Sequence, residues 1–168
     1  MASTYTLISS QVLASSAASV TFSSIPATYT DLVLRYSARN DAASIATNLL
    51  VSYNGSSSSF SSTLLYGDGA SAASTRLTNN TNAAISVSAS ATTNTFANGE
   101  FYVPNYSSAN YKSYSSNSVS ENNATTAYVW ISAGLWSNTA AITSMTLSLS
   151  GSNFVQYSSF YLYGISNA

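Results

Sequence analysis

Residues 31–39 read DLVLRYSAR, and this stretch decides the fold. Leu32, Leu34, Tyr36 and Ala38 fall at every second position, while Asp31, Arg35, Ser37 and Arg39 occupy the positions between. Side chains on a strand alternate between its two faces, so a period of two marks a strand with one face on a core and one in water. A helix needs a period near 3.6, and no convincing apolar stripe of that spacing exceeds two turns in this chain.

The alternation recurs on either side of that stretch. Ala18, Val20 and Phe22 alternate with Ser19, Thr21 and Ser23. Ile85, Val87, Ala89 and Ala91 alternate with serines, and Met145, Leu147 and Leu149 with Thr146, Ser148 and Ser150. AYVWIS (127–132) and SSFYLYGI (158–165) are more evenly apolar, which predicts central strands covered on both faces. Thr, Tyr, Val and Ile suit a pleated surface, whereas Ser, Thr and Asn weaken helix interiors. Residues 40–46 have room for one helical turn at most.

Punctuation falls between these runs. Asn54-Gly55 and four serines predict a hairpin or loop after NLLVSY, and Gly67-Asp68-Gly69 opens a polar loop to about Asn82. Pro104 ends the strand at Phe101 to Val103, because proline has no N–H for a ladder. From Asn105 to Asn123 the chain is Tyr, Ser and Asn with hardly an aliphatic residue, an edge hairpin or an exposed loop. The expectation is a single all-β domain over 1–168 with nine to eleven strands, an antiparallel β-sandwich of jelly-roll or Greek-key topology. Residues 1–14, with Tyr5, Leu7 and Leu13, read as an N-terminal edge strand or arm that pairs either within its own sheet or with a partner.

Composition bounds what such a domain does. A chain of 168 residues buries roughly 70% of its unfolded surface, so it needs no staple. It has no Cys and no His, and only four basic and five acidic residues. That is 5% charge against roughly 25% in an average domain, and 72 Ser, Thr and Asn residues carry the polarity instead. Thirteen Tyr, six Phe and two Trp are far too many aromatics for a disordered serine-rich linker. A net charge of −1 leaves little self-repulsion, which suits either a subunit of an assembly or a hydroxyl-rich soluble protein.

The same counts weigh against several partners. Four scattered cations cannot neutralise a run of phosphates, so no nucleic acid is expected, and they make no polybasic membrane patch. No stretch nears the roughly 20 apolar residues of a membrane span. The opening MASTYTLISSQVLASS lacks a basic region followed by a continuous apolar core, so synthesis in a cytoplasm without an export signal of its own is expected.

Reactive chemistry is nearly absent. Without His or Cys there is no Ser–His–Asp or Cys–His site and no zinc site of the usual ligands. YGDGAS lacks the Lys-Ser/Thr ending of a phosphate loop. A glycosidase-like carboxylate pair would have to come from Asp68, Glu100 and Glu121. Asp68, however, sits between glycines as turn residues do, Glu100 begins a strand, and Glu121 lies in a polar stretch. Asp31, Asp41 and Asp68 are the oxygen donors available to calcium, with no spacing that groups them, and an ion pair is the simpler role for Arg35. The reading is therefore no catalytic residue, no cofactor and no metal. Tyr106, Tyr111, Tyr114 and Trp136 are the candidate protein or glycan contact surface, since exposed Tyr and Trp among Asn and Ser adapt to many partners. Tyr36, Tyr128, Trp130, Tyr161 and Tyr163 are assigned to strand faces. The sequons at Asn54, Asn79, Asn105 and Asn123 are what chance gives in so Asn- and Ser-rich a chain.

The opening YTLISSQVLASSAASVTFSSIPATYTDLVLRYSARND and the closing SSFYLYGISNA resemble the two ends of small β-rich virion proteins of tailed bacteriophages, particularly those of cyanobacteria and other aquatic bacteria. The resemblance covers roughly positions 4–41 and 154–166 and rests on strand patterns rather than catalytic signatures. It implies a capsid decoration (cement) protein, a trimeric β-sandwich on the outer capsid surface, with the major capsid protein as its partner. Tail-fibre or receptor-binding modules contacting host-surface glycan share this appearance and form the alternative. A bacterial lectin or glycosidase-like domain is a third reading, which the opening residues and the scattered carboxylates disfavour.

Overall fold

The computed structural model describes residues 4–123 and 126–166, so positions 1–3 of the expected arm and positions 167–168 of the closing stretch lie outside the described residues. The described chain forms strands β1 (Tyr5–Val12), β2 (Ser19–Phe22), β3 (Asp31–Ala38), β4 (Ala46–Tyr53), β5 (Phe60–Gly67), β6 (Ala72–Thr78), β7 (Asn82–Val87), β8 (Ala97–Val103), β9 (Lys112–Ser120), β10 (Tyr128–Trp136), β11 (Met145–Leu149) and β12 (Ser159–Ile165). No helix occurs among the described residues, residues 41–45 included.

The strands make two antiparallel sheets, the β-sandwich that the alternation predicts. The larger runs β1-β12-β3-β8-β9-β10-β5-β6 and the smaller β2-β11-β4-β7. DLVLRYSAR supplies β3 and its flank, at the heart of the larger sheet. Leu32, Leu34, Tyr36 and Ala38 are buried in one apolar cluster with Leu49, Val51 and Tyr53 of β4 and Met145 and Leu147 of β11. Full burial of such a side chain stabilises by about 1.5–3 kcal/mol, so the inward positions of β3 alone tie the two sheets together. At one end of the core Tyr53, Phe60 and Trp136 meet with ring centroids 5.4–6.1 Å apart.

Five expectations are corrected. The described residues form twelve strands, against the nine to eleven expected. The stretch read as an edge hairpin or loop contains β9, which lies between β8 and β10 in the middle of the larger sheet. Its inward residues after Tyr114 are Ser116, Ser118 and Ser120, all buried, so its core face carries no aliphatic signal. The polar loop after Gly67 is mostly β6, joined to β5 by a tight turn in which Asp68 accepts from the Ala70 and Ser71 amides at 2.9 and 2.8 Å. AYVWIS is not covered on both faces, because Val129 and Ile131 are exposed opposite buried Trp130 and Ser132. SSFYLYGI likewise turns only one face fully inward: Phe160 and Leu162 are buried, whereas Tyr161 and Tyr163 are half-buried. The first strand pairs within its own sheet, β1 running against β12 with an irregularity between Leu7 and Ser9.

Two glycines set close approaches. Gly134 on β10 faces Tyr114 on β9 in register, and a Cβ at Gly134 would lie 2.0 Å from the Tyr114 ring. A Cβ at Gly164 would lie 2.2 Å from the ring of Tyr29. In each case the missing side chain is the seat of an aromatic ring.

Candidate functional site

The charged side chains are spread over several strands and turns, and most are engaged locally. Arg35 of β3 and Glu100 of β8 form a cross-strand ion pair at 2.8 Å, which raises the guanidinium pKa, and Tyr5 lies beneath the same guanidinium at 5.7 Å. Asp31 accepts from Tyr102 Oη at 2.8 Å and the Asn105 amide at 2.9 Å. Asp41 accepts from Asn153 through its amide and side chain, which holds its carboxyl below the usual range. Glu121 accepts from the amides of Asn122 and Asn123. Among the described residues no three His, Cys, Asp or Glu gather as metal ligands would.

Of the four residues expected to form a contact surface, only Tyr111 is exposed. Tyr106, Tyr114 and Trp136 are buried, because each fills an inward position or covers the end of the core. Tyr106 Oη donates to the Pro26 carbonyl, and burial raises its phenol pKa. Trp136 is the last residue of β10. Burial also pushes the Tyr114 phenol up to about 12, with the Ser62 hydroxyl opposing the shift.

The surface these residues were expected to form lies elsewhere, on the outer face of the larger sheet. On β5, β9 and β10 the usual polarity is reversed at some positions, beside inward Phe60, Leu64, Tyr114, Trp130 and Trp136 that keep it. Inward positions hold Ser62, Ser116, Ser118 and Ser132, all buried, while outward positions hold Leu65, Val119, Val129 and Ile131, all exposed. Val129 faces Val119 directly across the ladder, and Ile131 faces Leu65, so the four make one patch. Two inward serines of β9 bond to β7: Ser116 Oγ donates to the Ala83 carbonyl, and Ser118 Oγ accepts from the Ile85 amide at 3.2 Å. Towards β1 the same outer face becomes polar and aromatic, with Tyr161, Arg35 and Glu100 in one cross-strand row.

A second surface arises because the smaller sheet ends at β7, while β5 and β6 extend the larger one. Between them lies a groove of 380 Å³ lined by Tyr66, Trp130, Tyr128, Leu77, Asn48 and Asn82 among others. Tyr66 and Trp130 are cross-strand neighbours stacked at 5.4 Å and 21°. No Asp, Glu, Lys or Arg lines it. Trp130 is buried and its Nε1 has no acceptor among the described residues, a deficit of about 1–3 kcal/mol. Because faces alternate along a strand, Leu64, Tyr66 and Trp130 line the groove while Leu65, Val129 and Ile131 lie on the opposite side of the same sheet.

Neither surface was picked out by the sequence reading, which sought contact residues in loops. The signal was present as serines at every second place in KSYSSNSVS beside valine and isoleucine at the alternate places of YVWIS. No protein-family model matches the chain, and no curated protein matches it.

Proposed function

We propose that the chain is a non-enzymatic virion structural protein, a capsid decoration (cement) protein that binds the major capsid protein on the outer shell as a trimer and stabilises it. The single observation that carries this reading is the outward patch of Leu65, Val119, Val129 and Ile131 on a rigid sheet. Contiguous exposed apolar patches mark interaction sites, and these four side chains adjoin across the ladder. Burying this patch desolvates no ion, which is the expensive part of forming an interface. The resemblance of positions 4–41 and 154–166 to tailed-phage virion proteins supplies the particle, and closed threefold symmetry keeps the assembly finite.

The test is to image purified particles at side-chain resolution and to count copies of the chain per particle. Hundreds of copies on the capsid, with the β5–β9–β10 face against capsid subunits, support decoration. In a reconstitution with undecorated capsids, the paired change Val129→Asp and Ile131→Asp should abolish attachment while the chain still folds by circular dichroism, because both side chains are exposed. Absence from particles, or undiminished attachment of that variant, refutes the reading. A handful of copies at the tail tip would instead favour a receptor-binding module, for which the aromatic groove is the relevant surface.

A further inference from the structure

We infer that the groove between β6 and β7 is a binding site for a neutral saccharide, held by stacking and hydrogen bonds without ionic contacts. The inference does not depend on where the chain sits on a particle, because the groove and the apolar patch lie on opposite sides of the larger sheet.

Three features of the groove select this class of ligand. The first is aromatic surface at a polar site. Tyr66 and Tyr128 are half-buried, and Tyr66 is fixed by its stack on Trp130 at 5.4 Å. The ring face is electron-rich, so it attracts the weakly positive C–H groups on one face of a pyranose. The second is a set of uncommitted polar groups. The carboxamides of Asn48 and Asn82 and the hydroxyls of Thr75, Tyr66 and Tyr128 have no side-chain hydrogen bond among the described residues. A carboxamide offers two donors and an acceptor, which matches the adjacent hydroxyls of a sugar, each both donor and acceptor.

The third feature is the absence of charge. No ionisable Asp, Glu, Lys or Arg lines the groove, so a phosphate, carboxylate or amine would lose its hydration without finding a counter-ion. A purely apolar ligand would strand the two carboxamides, whereas a neutral polyol satisfies them. The volume of 380 Å³ falls at the lower end of small-ligand pockets, roughly 300–1,000 Å³. Rigid strands rather than loops carry most of these groups, so the site is formed before a ligand arrives: Asn48 on β4, Tyr66 on β5, Asn82 on β7 and Trp130 on β10.

The experiment is a nuclear magnetic resonance titration of the whole protein with glucose, galactose, mannose and N-acetylglucosamine, and with maltose, lactose and cellobiose. Glucuronate and benzyl alcohol serve as charged and apolar controls. At least one neutral saccharide should shift the resonances of Tyr66, Tyr128 and Asn82, and saturation transfer should mark one face of the sugar ring. Tyr66→Ala should weaken that binding at least tenfold. Should that variant fold poorly, Asn82→Ala, at a half-buried position, should do the same with Tm unchanged. The inference is overturned if no neutral saccharide shifts these residues, if the shifts map elsewhere, or if both variants bind as the parent does. It is equally overturned if glucuronate or benzyl alcohol occupies the groove more tightly than the neutral sugars.

Discussion

Replacing Gly134 by alanine tests whether the middle of the larger sheet is specified by one ring seated on one glycine. An added Cβ would stand 2.0, 2.3 and 2.4 Å from Cζ, Cε1 and Oη of Tyr114. Ordinary contact begins near 3.4 Å, so the ring has to withdraw by about 1.4 Å, the difference between 3.4 and 2.0 Å. Tyr114 cannot withdraw freely: it is buried, with Phe101 at 6.3 Å between centroids. Overpacking of this kind costs about 1–3 kcal/mol, and forcing the side chain off its rotamer adds about 0.5–1.5 kcal/mol. Against this, alanine in a strand regains about 0.5–1 kcal/mol that glycine loses in backbone entropy. The net loss is about 2 kcal/mol, which in a chain of this size lowers Tm by roughly 4–8 °C. Urea and thermal denaturation followed by circular dichroism measure it. The discriminating control is Gly134→Ala in a Tyr114→Ala background, where the space is free and the alanine should be neutral or stabilising. A single variant as stable as the parent, or equal costs in the two backgrounds, would refute the seating of Tyr114 on Gly134.

Two further predictions concern buried polar groups. Burial raises the phenol pKa of Tyr36 and Tyr53 and takes that of Tyr114 to about 12, all of them neutral in the fold. Their unfolded phenols ionise near 10, so the stability they contribute is complete below pH 10 and is lost as pH rises towards the folded values; for Tyr114 alone the loss is about 2 kcal/mol by pH 12. Phenolate absorbance should rise cooperatively with unfolding above pH 10, and smooth titration of all the tyrosines near 10 in a folded chain would contradict it. The second prediction concerns Arg39, whose guanidinium donates to the Ala89, Ala91, Thr92 and Thr95 carbonyls at 2.9–3.3 Å. Arg39→Leu should cost about 2 kcal/mol, since each bond from a charged donor contributes about 1.5–3 kcal/mol but water replaces part of it at this half-buried site. It should also open residues 89–95 to limited proteolysis, and a variant cleaved no faster than the parent would show that the clamp is idle.

What the sequence made legible was everything that depends on alternation against an ordinary core. β2 and β11 follow the period-two pattern residue by residue, and β3 follows it from Leu34 onward, with Asp31 and Val33 buried on its other face. Alternation fails as a guide where the two faces of a strand carry the opposite of their usual residues. In β9 the buried positions after Tyr114 are serines, of which Ser116 and Ser118 bond to β7, so the strand looks like a loop although it occupies the sheet's centre. In β10 the outward valine and isoleucine merge with inward Trp130 into an apolar run that looks covered on both faces. β6, with Thr75 and Arg76 exposed, has little apolar content on either side because the smaller sheet does not reach it. Tyr106 and Tyr114 were misplaced for a related reason. Tyrosine has one polar end and a large apolar body, so a polar neighbourhood in sequence says little about whether its ring is buried.

The scarcity of charge follows from what the charges do. Lys112 is buried without a carboxylate, its ammonium donating to the Ser108, Asn110 and Thr139 carbonyls, and desolvation lowers its pKa. Arg39 holds residues 89–95 in the same manner, while Asp31, Asp41, Asp68 and Glu121 receive backbone amides at turns and loop junctions. These ions bind polypeptide backbone that the ladders leave unpaired, which is why single charges suffice and why they lie at the ends of strands. Solubility then falls to hydroxyls and carboxamides, whose dehydration costs far less than that of an ion. The outer face beyond β8 is thereby left free of charge across β9 and β10, with Val119, Val129 and Ile131 among serines. The two surfaces proposed for contact, the patch and the groove, are both uncharged: most of the charges hold loops and turns, and the Arg35–Glu100 pair lies further along the outer face.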